Sequence, residues 1–201
     1  MLPHFPIFSF SPRAAEQILK QCHYGDLFEI AQLSKRTFSL VQSVAKAALN
    51  VSATISSTST IRINLNNRKT LEFIFYGQRD PKRAELEELK KNNQQKIVVK
   101  IMPTKLVFVK RSLGSYHCDS NSTEHVILFI QHLCSLFNVS QLSALILCPS
   151  ELHHLAAMQS VDAIRKSENL MIEEGTVSHE EMRRILGGFE NSNAAMEIWC
   201  N

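Results

Sequence analysis

Residues 5–41, FPIFSFSPRAAEQILKQCHYGDLFEIAQLSKRTFSLV, carry apolar side chains at helical spacing and more hydrophobic surface than so short a segment can bury on itself. Pro12 opens a first helix through Ala14–Lys20, because its missing N–H would have no partner in a first turn. A second helix follows Gly25 over Asp26–Leu33, with Leu27, Ile30, Ala31 and either Leu33 or Ser34 on one face. A third is expected to start with Ser34 as its N-cap and to run through Phe38, Val41, Ala45 and Ala48. Three short helices in under fifty residues make a marginal core, since small domains bury too little surface to stand alone. Another part of the chain must cover the apolar face that is left over.

The run Phe5-Pro6-Ile7-Phe8 to Ile18-Leu19, then Asp26-Leu27-Phe28 and Leu33-Ser34-Lys35-Arg36, resembles the F-box of the large nematode F-box protein family. That pattern reads F-P-L-L-x-L-P, an I-L pair, an acidic residue followed by L-F, and a closing S-K-R. Spacing agrees from Phe5 to Arg36 without a gap. One departure is that Phe10-Ser11 stands where the family has Leu-Pro, with the proline displaced to Pro12. The resemblance implies an F-box over residues 1–50 that binds the Skp adaptor of an SCF-type ubiquitin ligase and, through it, cullin. It implies contacts from Phe10, Pro12, Ile18, Leu19, Leu27, Phe28, Leu33 and Val41, and a protein substrate held by the C-terminal region. Which of the eight face a partner, and which pack the helices together, the residues leave open. Truncating a central anchor such as Leu27 to alanine is expected to cost on the order of 2 kcal/mol of binding if it is a hot spot.

The bounds of the whole chain agree. It has 201 residues, enough for one or two domains, and a formal net charge of +3, too mild to demand nucleic acid by itself. Cys22, Cys118, Cys134, Cys148 and Cys200 are an odd, scattered set without a C-x-x-C pair, which points to reduced thiols in the cytoplasm or nucleus. The apolar start MLPHFPIFSFSP has no cationic leader segment and is broken by three prolines, so no signal peptide is expected; no apolar stretch reaches the length of a membrane span. The sequons at Asn50, Asn121 and Asn138 then read as chance.

Further along, VSATISSTST (51–60) reads as a connector entering a strand. Ile61, Ile63 and Leu65, a turn at Asn66–Lys69, and Leu71, Phe73 and Phe75 form a β-hairpin with one apolar face. Residues 80–91 hold helix formers but only Ala84, Leu86 and Leu89 as apolar positions, so a solvated helix or mobile loop is expected. Ile97–Ile101 and Leu106–Val109 are strand candidates. Residues 79–111 are locally basic, but lack interleaved aromatic stacking platforms; a solvated edge that discourages strand pairing is the favoured reading over a nucleic-acid surface.

From Asn121 or Ser122 a helix is expected with Val126, Phe129, Ile130, Leu133 and Phe137 inward. Leu142–Leu147 fits the L-x-x-L-x-L core of a leucine-rich repeat, followed by a helix from Glu151 to about Lys166 with Leu152, Leu155, Ala156 and Val161 for its buried side. A second strand at Leu170–Ile172 and a third at Met196–Trp199 follow at a period near 25, within the repeat range of roughly 20–29 residues. Ser178-x-x-Glu181 is a capping box that opens a helix with Met182, Ile185 and Leu186 inward, ended by Gly187-Gly188 where positive φ suits glycine. The alternation agrees with the F-box-associated domain of type 2 that follows the F-box in the resembled family. Stopping on an apolar strand, the array is expected to be a truncated set or one whose last strand stays exposed or pairs elsewhere.

The fold class expected is therefore α+β: a three-helix F-box (1–50), a hairpin-rich connecting region (51–115) and a degenerate leucine-rich-repeat-like region (116–201). No cofactor and no catalysis are expected. His153 and His154 sit together on an expected helix, where neighbours point about 100° apart and cannot both hold one ion. His117-Cys118 and His132-x-Cys134 lack a second ligand pair at zinc-site spacing, Cys118 reading as a loop residue and Cys134 as a small buried hydrophobe. No phosphate loop, nucleophile elbow or H-E-x-x-H occurs. The alternative to the ligase adaptor is a cytosolic repeat protein that binds peptides and has lost the ligase link.

Overall fold

The computed structural model describes residues 10–45, 50–64, 70–77, 80, 83–92, 94–112, 114–120, 122–173 and 177–190. The chain begins with α1 (Pro12–Gln21), α2 (Tyr24–Ala31) and α3 (Lys35–Val44). Ser11 Oγ accepts the Ala14 N–H at 3.3 Å, which starts α1 with Pro12 in its first turn. Ser34 Oγ accepts the Thr37 N–H at 3.1 Å while Thr37 Oγ1 accepts the Ser34 N–H at 2.8 Å, a reciprocal cap that fixes the start of α3. α2 begins two residues before the expected Asp26 and takes Gly25 inside it. The Tyr116 hydroxyl approaches so closely that a Cβ on Gly25 would lie 3.1 Å from it.

Next come β1 (Asn50–Ile55), β2 (Thr58–Asn64), β3 (Thr70–Tyr76), α4 (Arg83–Lys91), β4 (Lys96–Ile101), β5 (Thr104–Ser112) and β6 (Ser115–Cys118). The stretch expected as a connector is thus a strand and a turn. Val51, Ala53 and Ile55 alternate inward against Ser52 and Thr54, and serine hydroxyls close the turn: Ser59 Oγ donates to Ser56 O at 3.0 Å and Ser56 Oγ to Thr58 O at 2.9 Å. The expected hairpin forms with Ile61 opposite Phe73; its turn lies outside the described residues.

All eight strands make one sheet in the order β4-β5-β6-β3-β2-β1-β7-β8, where β7 is Ala144–Leu147 and β8 is Leu170–Ile172. β2 and β5 run against the other six. β1, β7 and β8 lie parallel side by side, so strands from 51–115 and 116–201 belong to a single sheet. The helices of 12–44 and α5 (Thr123–Phe137) cover one face of it, and one apolar cluster runs from Ala15 through Phe73 and Phe129 to Ile185. The marginal three-helix core is therefore completed by the sheet, as its leftover apolar face required.

α4 is not merely solvated. Leu86 is fully buried and closes a small second core with Tyr76 and Val109 on the opposite face. Between β7 and β8 the expected single helix is broken into a 3-10 segment (Pro149–His154), α6 (Leu155–Gln159) and α7 (Asp162–Arg165). The break falls at Val161, whose extended backbone buries its side chain, after Ser160 Oγ turns back to Ala157 O at 2.7 Å. Of the residues expected inward here, Ala156 is exposed. α8 (His179–Gly187) has the expected capping box, with Ile185 buried but Leu186 exposed. Gly188 ends it at φ −101°, not in the positive range; what glycine supplies there is room for the Gln159 side chain. The strand expected at 196–199 lies outside the described residues.

The β5–β6 turn does need a glycine conformation. Gly114 has φ +86°, and a Cβ there would lie 2.8 Å from Thr70 O. Gly114→Ala is expected to lower stability by about 1–3 kcal/mol through backbone strain and that clash, read as a drop in the urea midpoint at unchanged slope.

Candidate partner-docking surface

The three N-terminal helices present two faces of different chemistry. Inward, Leu19, Phe28 and Val41 are fully buried and Leu27 is 4% exposed. Phe28 meets the rings of Phe73, Phe108, Tyr116 and Phe129 edge-on, at centroid distances of 4.9–6.4 Å. These four positions, expected as partner contacts, are occupied by the chain's own core. Outward stand Phe10 at 43% exposure and Leu33 at 74%, with Pro12 also exposed and Ile18 half-buried. A shallow groove of ≈ 350 Å³ runs between α1 and α3, with Phe10, Pro12 and Ala15 on one wall and Arg36, Leu40 and Ser43 on the other. The resemblance thus names eight positions, and the fold divides them between packing and surface.

A polar clamp holds this layer in place. Glu29 on α2 accepts from Lys110 Nζ at 2.5 Å and Tyr116 Oη at 3.0 Å through one oxygen, and from Gln95 Nε2 at 2.8 Å through the other. One carboxylate therefore ties α2 to β5, β6 and the residue before β4. Burial and the Glu29 charge together push the Tyr116 hydroxyl far up, so it stays a donor at any ordinary pH. At the far end of the layer Asn138, in left-handed backbone at φ 54°, donates to Gln42 O at 2.7 Å and ties α5 to α3. No sequence signal pointed to Glu29 or Asn138, because their partners lie 66 or more positions away in the chain for Glu29 and 93 or more for Asn138.

Elsewhere among the described residues, His117, Cys118 and Cys134 take structural places, whereas His153 and His154 do not. Cys118 is no loop residue: it ends β6 and is buried, as is Cys134, and desolvation pushes both thiols up to about 12. His117 is buried between the Tyr76 hydroxyl at 2.8 Å and Ser115 Oγ at 3.0 Å. His153 and His154, expected to point apart, stand on a 3-10 turn with ring centroids 4.0 Å apart, and Glu151 joins them. Several of the basic residues are ion-paired, Arg83 and Lys90 with Asp119 at 2.8 and 2.7 Å and Lys110 with Glu29. Lys96 and Lys100 are exposed on β4, an edge strand, where lysine hinders pairing with another sheet. Among the described residues no helix is long and apolar enough to cross a membrane. No protein-family model matches the chain, nor does any curated protein or solved structure with which it was compared.

Proposed function

We propose that the chain is a substrate-recognition adaptor of an SCF-type ubiquitin ligase, docking a Skp adaptor through the outer face of α1–α3. The observation that carries this reading is the division of the F-box-like positions. The motif's helices form at the spaced residues, and Phe10, Pro12 and Leu33 remain on the surface where large apolar side chains are uncovered. Leu19, Leu27, Phe28 and Val41 hold that face rigid from beneath, so docking needs little reordering. Cullin joins through the Skp adaptor, and the adaptor role belongs to the cytoplasm or nucleus. The parallel β7–β8 pair with its helical crossover supports the repeat-like reading of 116–201, the region that would take a protein substrate. No bond chemistry is required of this chain in that role.

The test is co-expression of the full chain with a Skp adaptor, followed by size-exclusion chromatography. Leu27→Ala is a poor probe, because loss of a core side chain unfolds what it is meant to test. Leu33→Asp and Phe10→Asp act on exposed positions, and each is expected to abolish co-elution while leaving the melting temperature within about 2 °C of wild type. A folded full chain that never co-elutes, or co-elutes equally well with both substitutions, sinks the adaptor reading.

A further inference from the structure

We propose that Glu151, His153 and His154 form a binding site for a borderline divalent transition-metal ion of the Zn2+ type. The three residues lie on the 3-10 segment that leaves the carboxyl end of β7, the edge of a parallel sheet region where ligands commonly sit. In a 3-10 helix residues i and i+3 eclipse, which stacks Glu151 and His154 on one face; an α-helix would not align them so directly. His154 itself has left regular helix, at φ −90° and ψ 7°, and its ring lies against that of His153. One donor atom from each residue, two imidazole nitrogens and a carboxylate oxygen, falls within 4.8 Å of the other two. Bonds of about 2.0–2.2 Å to a tetrahedral ion place donor atoms roughly 3.4 Å apart. Small side-chain rotations close that gap, and His153 is exposed and Glu151 and His154 are only half-buried.

Hydrogen bonds behind the donors point the same way. His153 Nδ1 lies 2.8 Å from Ser150 O, and since a carbonyl only accepts, Nδ1 carries the proton and Nε2 keeps its lone pair. A ring N–H given to a backbone carbonyl is the usual support of a metal-binding histidine. Glu151 is oriented likewise, its Oε2 accepting from Thr123 Oγ1 at 2.6 Å and its Oε1 from Ser150 Oγ at 3.4 Å. Thr123 opens α5, so an ion here would link the 3-10 segment to that helix. Two imidazoles and one carboxylate match a borderline ion better than a hard one such as Mg2+, which prefers oxygen alone. His153 also lines a groove of ≈ 450 Å³ against α8, across from Glu181 and Arg184, so solvent reaches its side of the site.

The test is calorimetric titration of Zn2+ alone into the reduced full chain, with the visible spectrum of the Co2+ form read in parallel. One site is expected, weakened at least tenfold in each of His153→Ala, His154→Ala and Glu151→Gln, and kept in the exposed His23→Gln. Thr123→Val, which removes no ligand, is expected to weaken it about tenfold by releasing Glu151. The Co2+ spectrum is expected to show nitrogen and oxygen ligands without thiolate charge transfer. No binding, a thiolate spectrum, or wild-type affinity in any of the three ligand variants would overturn the proposal. Melting without metal checks each variant's fold, and His153→Gln or His154→Gln replaces the corresponding alanine variant if it melts lower.

Discussion

Phe28→Ala is expected to destabilise the chain by about 3–5 kcal/mol, more than any substitution on its surface. Phe28 has no solvent exposure, and its ring lies at the meeting point of α2, the sheet and α5. Phe73 comes from β3, Phe108 from β5, Tyr116 from β6 and Phe129 from α5; these rings also touch one another, as with Phe108 and Phe129 at 4.7 Å. Alanine removes the ring from a site whose walls are themselves large and interlocked, so they collapse only partly and a cavity remains. The edge-to-face attraction between Phe28 and its ring neighbours disappears as well, on top of the transfer cost. Phe28→Leu, which keeps most of the volume, is expected to cost markedly less. Urea unfolding followed by far-UV circular dichroism reads both. A loss below about 1 kcal/mol for alanine would mean that α2 is not seated on the sheet as described. The same experiment separates packing from partner contact, since a residue that only touched a partner would leave the free chain's stability unchanged.

The second large effect is a pH dependence set by His132. On α5, its ring lies against Phe38 of α3 at 5.1 Å and near Phe129 at 6.2 Å, and its Nε2 is shut off from solvent with no hydrogen-bond partner among the described residues. Desolvation lowers its pKa from 6.5 to about 4, because the charged ring has lost water and gained nothing in return. Above about pH 6.5 both the folded and unfolded chains carry a neutral ring, and His132 contributes no slope. Between pH 6.5 and 4 the unfolded chain binds a proton that the folded chain does not, so stability falls as the pH falls. The loss from this residue alone is about 2 kcal/mol by pH 5 and about 3 kcal/mol once the pH passes 4. Urea titrations of wild type and His132→Leu at pH 7, 6 and 5 measure it as the difference in slope. Parallel slopes would show that His132 is solvated or paired in the folded chain.

Much of the local structure was legible in the sequence because it rests on short-range physics. Pro12 started α1, the Ser34 hydroxyl capped α3, and the 3.6-residue period of α5 put Val126, Phe129, Ile130, Leu133 and Phe137 inside. The alternation of Ile61, Ile63, Phe73 and Phe75 likewise told which side of the hairpin faced the core. Short elements were the ones missed. β6 has four residues, too few for a period of two to stand out, yet it lies between β5 and β3 and joins the β4–β5 pair to the rest of the sheet. β1 was hidden by small Ser, Thr and Ala side chains whose strand character comes from pairing with β2 and β7.

The sequence by itself determined where the longer helices and the β2–β3 hairpin form and which of their sides are apolar, since capping, turn chemistry and periodicity act over a few residues. Tertiary structure alone decided what those sides meet. Phe28 and Leu33 are both large, apolar and five positions apart, and no local rule separates them. Phe28 faces a sheet whose nearest contributing ring is 45 positions further along, and Leu33 ends in solvent. The same holds for Glu151, His153 and His154, whose convergence depends on β7 ending in a 3-10 turn instead of an α-helix. A proline-started turn tied to α5 through Thr123 and Glu151 holds that geometry, by a contact 28 positions away in the chain.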